Sequence, residues 1–133
     1  MKKLHIPALI IVAAALAACG GTDFEWFPKV IDITPPVVVA TISNATFRNT
    51  SSATAHVSSL PATVTFSADK SATIYYTTNG SDPLVTSPSI EFSSAPVPGP
   101  EISVTNTILK FFGIDKSANL NRSTTKTITI VSP

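Results

Sequence analysis

The 133-residue sequence is poor in the side chains that most often carry catalysis, metal binding or cross-linking. It has one cysteine and two histidines, and charged residues make up 13% of the chain. A single cysteine cannot close a disulfide within the chain, so the stability of the folded part must come from its core. Redox metals need several histidine or cysteine ligands, and the sequence therefore predicts no such centre.

The sequence also lacks an excess of charge of either sign. The formal net charge of the whole chain is +1, and after residue 18 seven basic residues stand against eight acidic ones, a net charge of −1. Binding to a phosphate backbone requires a broad positive surface. Nucleic acid is therefore not expected as a partner.

A catalytic constellation is missing as well. After residue 18 the only histidine is His56, which lies in a polar segment without a neighbouring carboxylate to form a base–nucleophile pair. Hydrolysis of a glycoside requires two convergent carboxylates, whereas the candidate acids stand beside turn or loop residues: Asp69, Asp82, Glu91, Glu101 and Asp115. The sequence predicts a protein that is not an enzyme.

The N-terminal residues have the pattern of an export signal. Lys2 and Lys3 precede an apolar run at residues 6–18, IPALIIVAAALAA. This run is shorter than the roughly 20 residues that cross a bilayer, but it has the length of the apolar region of a signal peptide. Residues 1–18 are therefore predicted to be a signal peptide.

The end of this signal, Leu16-Ala17-Ala18-Cys19, resembles the lipobox of bacterial lipoproteins. The resemblance implies that Cys19 receives diacylglycerol, that the chain is cut before it, and that the new N-terminus is acylated, with palmitate a typical chain. Each buried methylene contributes about 0.8 kcal/mol, so three chains hold a protein to a membrane without a transmembrane helix. Gly20 follows the cysteine where inner-membrane lipoproteins often have Asp, and the expected location is the bacterial outer membrane.

Residues 19–35 are predicted to be the lipidated cysteine followed by a tether. Gly20 and Gly21 are permissive, and prolines stiffen the rest of a segment without helical periodicity. Three aromatic residues stand out in it: Phe24, Trp26 and Phe27. These rings either cover one end of the folded domain, the interpretation we favour, or contact lipid headgroups or a partner.

Residues 36–133 are predicted to form one β domain. Val37–Ile42 is an apolar, β-branched run, and residues 43–60 are polar enough to suggest one edge strand at most. Apolar residues then alternate with polar ones in a period of two, which places a common set of side chains inside: Val64, Phe66, Ile74, Tyr76, Leu109, Phe111, Ile128 and Ile130. Asn79-Gly80 favours a tight turn, and residues 96–100 contain three prolines and predict a loop or a crossing between sheets. Roughly seven short strands in about 95 residues indicate an antiparallel β-sandwich.

Two blocks resemble the chitobiase/β-hexosaminidase C-terminal domain family. They are VTFSADKSATIYYTTNGSDP, Val64–Pro83, and ILKFFGIDKSANLNRS, Ile108–Ser123. The resemblance implies an immunoglobulin-like sandwich that serves as an accessory module without an active site. Asn79, Gly113 and Ala118 depart from the usual pattern, in which Asp, Ala and Gly stand there. In such a sandwich Ile74 and Tyr76 are expected to face Leu109 and Phe111 across the core, and Gly113 is expected to leave room for a bulky neighbour.

No cofactor is expected beyond the lipid on Cys19. Calcium binds six to eight oxygens, and Asp82 and Asp115 with Asn79 or Asn119 have suitable side chains, although no D-x-D-x-D-G run is present. Capping of turns is the favoured role of these four residues.

Sugar binding requires an exposed aromatic ring. Tyr75 is the best candidate in the folded domain and Trp26 in the tether, although an outward tyrosine on a strand more often packs against a neighbouring strand.

The leading hypothesis is a non-catalytic envelope lipoprotein that presents an immunoglobulin-like module for protein contacts or a structural role. The alternative is a carbohydrate-binding module directed at cell-wall or surface polysaccharide.

Overall fold

The structure, a computed structural model, describes residues 31–47 and 53–132. The sequence predictions for the signal peptide, for Cys19 and for the tether aromatics, including Trp26, lie outside these residues. Within the described part of the chain no helix is long and apolar enough to cross a membrane.

The described residues form β-strands connected by turns and loops. There are nine strands in this part of the chain: β1 (Val38–Ile42), β2 (Ala45–Phe47), β3 (Thr54–Val57), β4 (Ala62–Ala68), β5 (Ala72–Thr77), β6 (Ser89–Phe92), β7 (Val97–Ile102), β8 (Thr107–Asp115) and β9 (Lys126–Val131). The predicted number, about seven, was too low for two reasons. Val97–Ile102 forms a strand, and residues 43–60 contribute two short strands rather than one at most. Both are four residues or fewer, too short for a convincing alternation in the sequence.

The strands form two sheets. One has three strands in the order β1-β4-β7, and the other has six in the order β2-β3-β9-β8-β5-β6. All described pairs are antiparallel except β3 with β9, which run parallel. The predicted all-β, immunoglobulin-like sandwich is confirmed, with this parallel pair as the departure from a purely antiparallel arrangement.

The core lies between the two sheets and follows the period of two seen in the sequence. Phe66 of β4 packs its ring 5.3 Å from that of Phe111 and 5.7 Å from that of Tyr76, centroid to centroid, across the sandwich. Such tilted aromatic contacts add about 0.5–1.5 kcal/mol to the burial of the rings. The other fully or nearly fully buried apolar side chains include Val38, Ile42, Val64, Ile74, Leu109, Ile128 and Ile130.

The expected facing of Ile74 and Tyr76 across the core from Leu109 and Phe111 is wrong. β5 and β8 are neighbours in one sheet, where Ile74 pairs with Gly113 and Tyr76 with Phe111. The two blocks therefore present one shared inner surface, and their partner in the opposite sheet is β4. Alternation identifies the face to which a side chain belongs, but not which strands are adjacent.

Gly113 does make room for a bulky neighbour, as expected. A Cβ atom at this position would lie 2.5 Å from Cγ2 of Val38 and 3.3 Å from Cγ of Pro36. Val38 belongs to β1 of the opposite sheet, so the absence of a side chain at Gly113 allows the two sheets to approach closely here.

The proline-rich run 96–100 was predicted as a loop or crossing, and this is wrong: it lies largely in β7. Among the described strands β7 pairs with β4 alone, and the register of this pair shifts between Thr63 and Thr65. Prolines are tolerated there because an edge strand leaves one row of its backbone groups unpaired. Gly99 is close enough to the Phe66 ring that a Cβ atom would lie 2.7 Å from Cε2.

The strand registers define two ends of the sandwich. At the near end, where residues 31–37 lead into β1, lie the β4–β5 loop (69–71) and the β8–β9 loop (116–125), since Val38 pairs with Ala68 and Ala72 with Asp115. At the far end lie the β5–β6 loop (78–88) and the β7–β8 loop (103–106), since Thr77 pairs with Lys110.

Candidate functional site

The four residues considered for calcium do not lie together. Asn79 and Asp82 are in the β5–β6 loop at the far end, whereas Asp115 and Asn119 are at the near end. The length of β5 separates the two pairs, and the five steps from Ala72 to Thr77 span about 17 Å along a strand. In the described residues no three His, Cys, Asp or Glu side chains are grouped so that they could hold a metal ion.

At the far end, Asn79 closes the turn. Its Oδ1 accepts hydrogen bonds from the amide of Ser81 at 3.1 Å and from the hydroxyl of Ser81 at 2.7 Å, and Gly80 adopts a φ of +80°. Asp82 instead accepts a bond from Nζ of Lys110 at 2.7 Å, and this bond lowers the pKa of the Asp82 carboxyl. The carboxylate is largely exposed, so the pair contributes little to stability.

At the near end, Asp115 is the buried charged residue of the described chain, with 2% of its surface exposed. Its Oδ1 accepts bonds from the amide and hydroxyl of Ser117 at 3.2 and 2.7 Å and from the amide of Asn121 at 3.0 Å. Its Oδ2 accepts a hydrogen bond from Nδ2 of Asn121 at 2.9 Å. These donors, the Ser117 hydroxyl first, hold the pKa of Asp115 below its usual value. The carboxylate thereby organises the β8–β9 loop.

The loop that Asp115 organises contacts the segment leading into β1. Nδ2 of Asn119 and Nδ2 of Asn121 both donate to the carbonyl of Asp32, at 2.9 and 2.8 Å. From the β4–β5 loop, Nζ of Lys70 donates to Oδ2 of Asp32 at 2.7 Å and to Oγ1 and the carbonyl of Thr34 at 2.7 and 3.0 Å. The Lys70 bond, followed by those from Thr34, holds the pKa of Asp32 well below its usual range, and the bond to Asp32 raises the pKa of Lys70.

Tyr75 lies on the outer face of the six-stranded sheet, where it packs on a neighbour. It pairs with Phe112 of β8, and the two rings stack with centroids 5.2 Å apart and an interplanar angle of 22°. The guanidinium carbon of Arg122 lies 3.8 Å from the centre of the Phe112 ring. Phe112 is fully buried although it points outward, so this outer face has an ordered aromatic and cationic surface.

The loops at the far end expose apolar side chains. Leu84 and Val85 in the β5–β6 loop have 62% and 61% of their surface exposed, and Val104 in the β7–β8 loop has 68% exposed. These side chains are candidates for contact with an apolar partner, as is Leu120, which is 65% exposed in the near-end β8–β9 loop.

A family model of the chitobiase/beta-hexosaminidase C-terminal domain matches residues 52–127. The chain belongs to this family. The match confirms the resemblance carried by the two sequence blocks, and the family consists of immunoglobulin-like accessory domains. Searches of curated proteins and of solved structures found no match.

The chitobiase-type match covers both near-end loops and the Tyr75–Phe112–Arg122 stack, and it excludes residues 31–37. The contacts of the near-end loops with Asp32 and Thr34 therefore join the family domain to a part of the chain outside the match.

Sequence reasoning missed Phe112, Arg122 and the far-end apolar residues. The consecutive pair Phe111-Phe112 was a signal, because on a strand one of two adjacent rings must point outward and will be covered if the fold allows it. Lys70 and Asn121 were missed because their partner, Asp32, is 38 and 89 residues away in the sequence. No local pattern reveals such contacts.

Proposed function

We propose that this protein is a non-catalytic lipoprotein of the bacterial outer membrane, which presents its chitobiase-type domain to another envelope protein. The anchor is inferred from the lipobox-like sequence ending at Cys19. The contact role is inferred from one structural observation, the exposure of Leu84, Val85 and Val104 on loops at the far end. Family membership supports an accessory rather than a catalytic role.

The anchor is tested by fractionation of cells that produce the full chain. The wild-type protein is expected in the outer-membrane fraction, and Cys19→Ser is expected to leave it because the acceptor thiol is lost. Gly20→Asp is the matched variant, since it preserves the cysteine and should redirect the protein to the inner membrane. A Cys19→Ser protein that remains in the membrane would contradict the lipid anchor.

The contact surface is tested by cross-linking in cells followed by identification of the partner. Leu84→Ser, Val85→Ser and Val104→Ser combined should abolish a cross-linked species that the wild type forms, because they remove the exposed apolar area. The control is the double variant Val37→Ser with Val39→Ser. These valines are also exposed, at 55% and 47%, but Val37 precedes β1 and Val39 lies in it, away from the far-end loops. Equal cross-linking by both variants would exclude the far end as the contact surface.

A second candidate function, binding of cell-wall or surface polysaccharide, is favoured by the stack on the outer face. Tyr75 offers an aromatic ring that stacks on Phe112, and the Arg122 guanidinium lies over the Phe112 ring. On insoluble polysaccharides, Tyr75→Ala should lose retention, whereas Tyr75→Phe should preserve it because the ring remains. Retention unaffected by Tyr75→Ala, with the fold intact, would exclude this site. Trp26→Ala tests in the same assay whether the tether contributes.

A further inference from the structure

Residues 31–34, the first part of the segment before β1, are held to the sandwich by hydrogen bonds. Ile31 and Ile33 have 63% and 75% of their surface exposed, whereas Pro36, next to β1, is buried close to Gly113. Five hydrogen bonds instead converge on Asp32 and Thr34 from the two near-end loops.

One of the holding groups, Asn121, is oriented by contacts within its own loop. Asn121 donates to the carboxylate of Asp115 as well as to the carbonyl of Asp32, and Asp115 is itself buried and fully bonded. Groups oriented by neighbouring bonds lose little freedom when they bind, which favours recognition of an extended backbone.

The contacts also continue along the chain. Oδ1 of Asp69 accepts the amide of Val37 at 2.8 Å, so the loop that carries Lys70 holds both ends of the stretch from Asp32 to Val37. One exposed ion pair would contribute little to stability, but here side-chain groups of two loops bind main-chain and side-chain atoms of the same short segment.

We propose that the β4–β5 and β8–β9 loops form a clamp for residues 32–34 of the same chain, which fixes the direction in which the N-terminal segment leaves the sandwich. The chitobiase-type match contains both loops of the clamp, whereas the clamped residues lie outside it. One consequence rests on the proposed function: the chain from a lipidated Cys19 enters the sandwich at its near end, whereas Leu84, Val85 and Val104 lie in loops at the far end.

Hydrogen exchange in the full chain, solubilised in detergent, tests the clamp. The double variant Lys70→Met with Asn119→Ala removes three bonds from Lys70 and one from Asn119 but leaves the Asp115–Asn121 contacts in place. The amide of Thr34, which donates to Oδ1 of Asp32 at 2.9 Å, should then exchange at least about tenfold faster, because the segment opens without unfolding of the sheets. Amides of β4 and β8 should be unchanged.

The matched control is Lys110→Met, which removes the other 2.7 Å pair, Lys110 with Asp82, at the far end. It should leave the exchange of Thr34 at the wild-type rate. The proposal is overturned if the double variant also exchanges Thr34 at the wild-type rate, or if the wild-type amide already exchanges as in an unstructured peptide. Loss of membrane association in fractionation would refute the anchor without changing this result.

Discussion

At the scale of the residue, Gly113 shows how one missing side chain sets the distance between the sheets. The space that a Cβ atom would need is filled by Cγ2 of Val38, at 2.5 Å. Gly113→Ala should lower the free energy of unfolding by about 1–3 kcal/mol, the usual cost of overpacking a core. Urea unfolding measures this change.

Val38→Ala in the same protein is the control, because it removes the methyl groups that the new Cβ would meet. The double variant should be less destabilised than the sum of the two single variants, since the second change relieves the clash caused by the first. Strict additivity of the two effects would show that the sheets do not meet at this point.

Asp115 determines a part of the acid sensitivity. Its pKa in the folded protein is held below the ordinary value of 3.8, chiefly by Ser117 and then by Asn121. Its contribution to stability is therefore complete above pH 3.8 and is lost as the pH falls toward the folded pKa. The carboxyls of Asp32, Asp82 and Glu91 have lowered pKa values and act with the same sign.

The free energy of unfolding should thus fall in acid, and Asp115→Asn should reduce that fall because the group no longer titrates. The variant should also be less stable at neutral pH, since an amide presents donors to the Asn121 side chain, itself a donor. Urea unfolding of both proteins from neutral pH to about pH 2 makes the comparison. Identical pH dependence in the two would refute the role given to Asp115.

At the scale of the element, the strand pair β5–β8 buries aromatic rings on both of its faces, and we expect both faces to contribute to stability. Phe111 packs inward on Phe66, and Phe112 is buried outward beneath Tyr75 and Arg122. Phe112→Ala should cost about 3–5 kcal/mol, as much as a core phenylalanine. Thr127→Ala, at an exposed position of the adjacent strand β9, should change the free energy of unfolding by less than about 0.5 kcal/mol. Equal effects of the two substitutions in urea unfolding would contradict this description of the outer face.

The strands also show what a sequence pattern predicts and what it does not. Alternation identified the inward residues of β4, β5, β8 and β9, because burial of one face imposes a period of two. It failed for β7, whose prolines are acceptable only because the strand is at an edge, and edge position is a property of the sheet rather than of the segment. It failed also for β2 and β3, which lack a strong pattern of their own: β3 pairs with distant β9, and β2 pairs with β3.

At the scale of the whole molecule, the chain places different chemistry at the two ends of one sandwich. The near end holds the incoming segment through Lys70, Asn119 and Asn121. Apolar side chains are exposed at both ends, Leu120 in a near-end loop and Leu84, Val85 and Val104 in the far-end loops. Fold class and family were predictable from two sequence blocks, since both blocks lie within the matched domain. The near-end contacts were not predictable, because they join residues up to 89 positions apart.

The central claim is that this chitobiase-type domain is attached to a membrane through Cys19. The mass of the mature protein, purified from membranes of cells that produce the full chain, tests this claim most directly. We expect a chain that begins at Cys19 and carries the added mass of a diacylglycerol and an N-terminal acyl group. A mature chain that retains residues 1–18, or one whose Cys19 is unmodified, would contradict it.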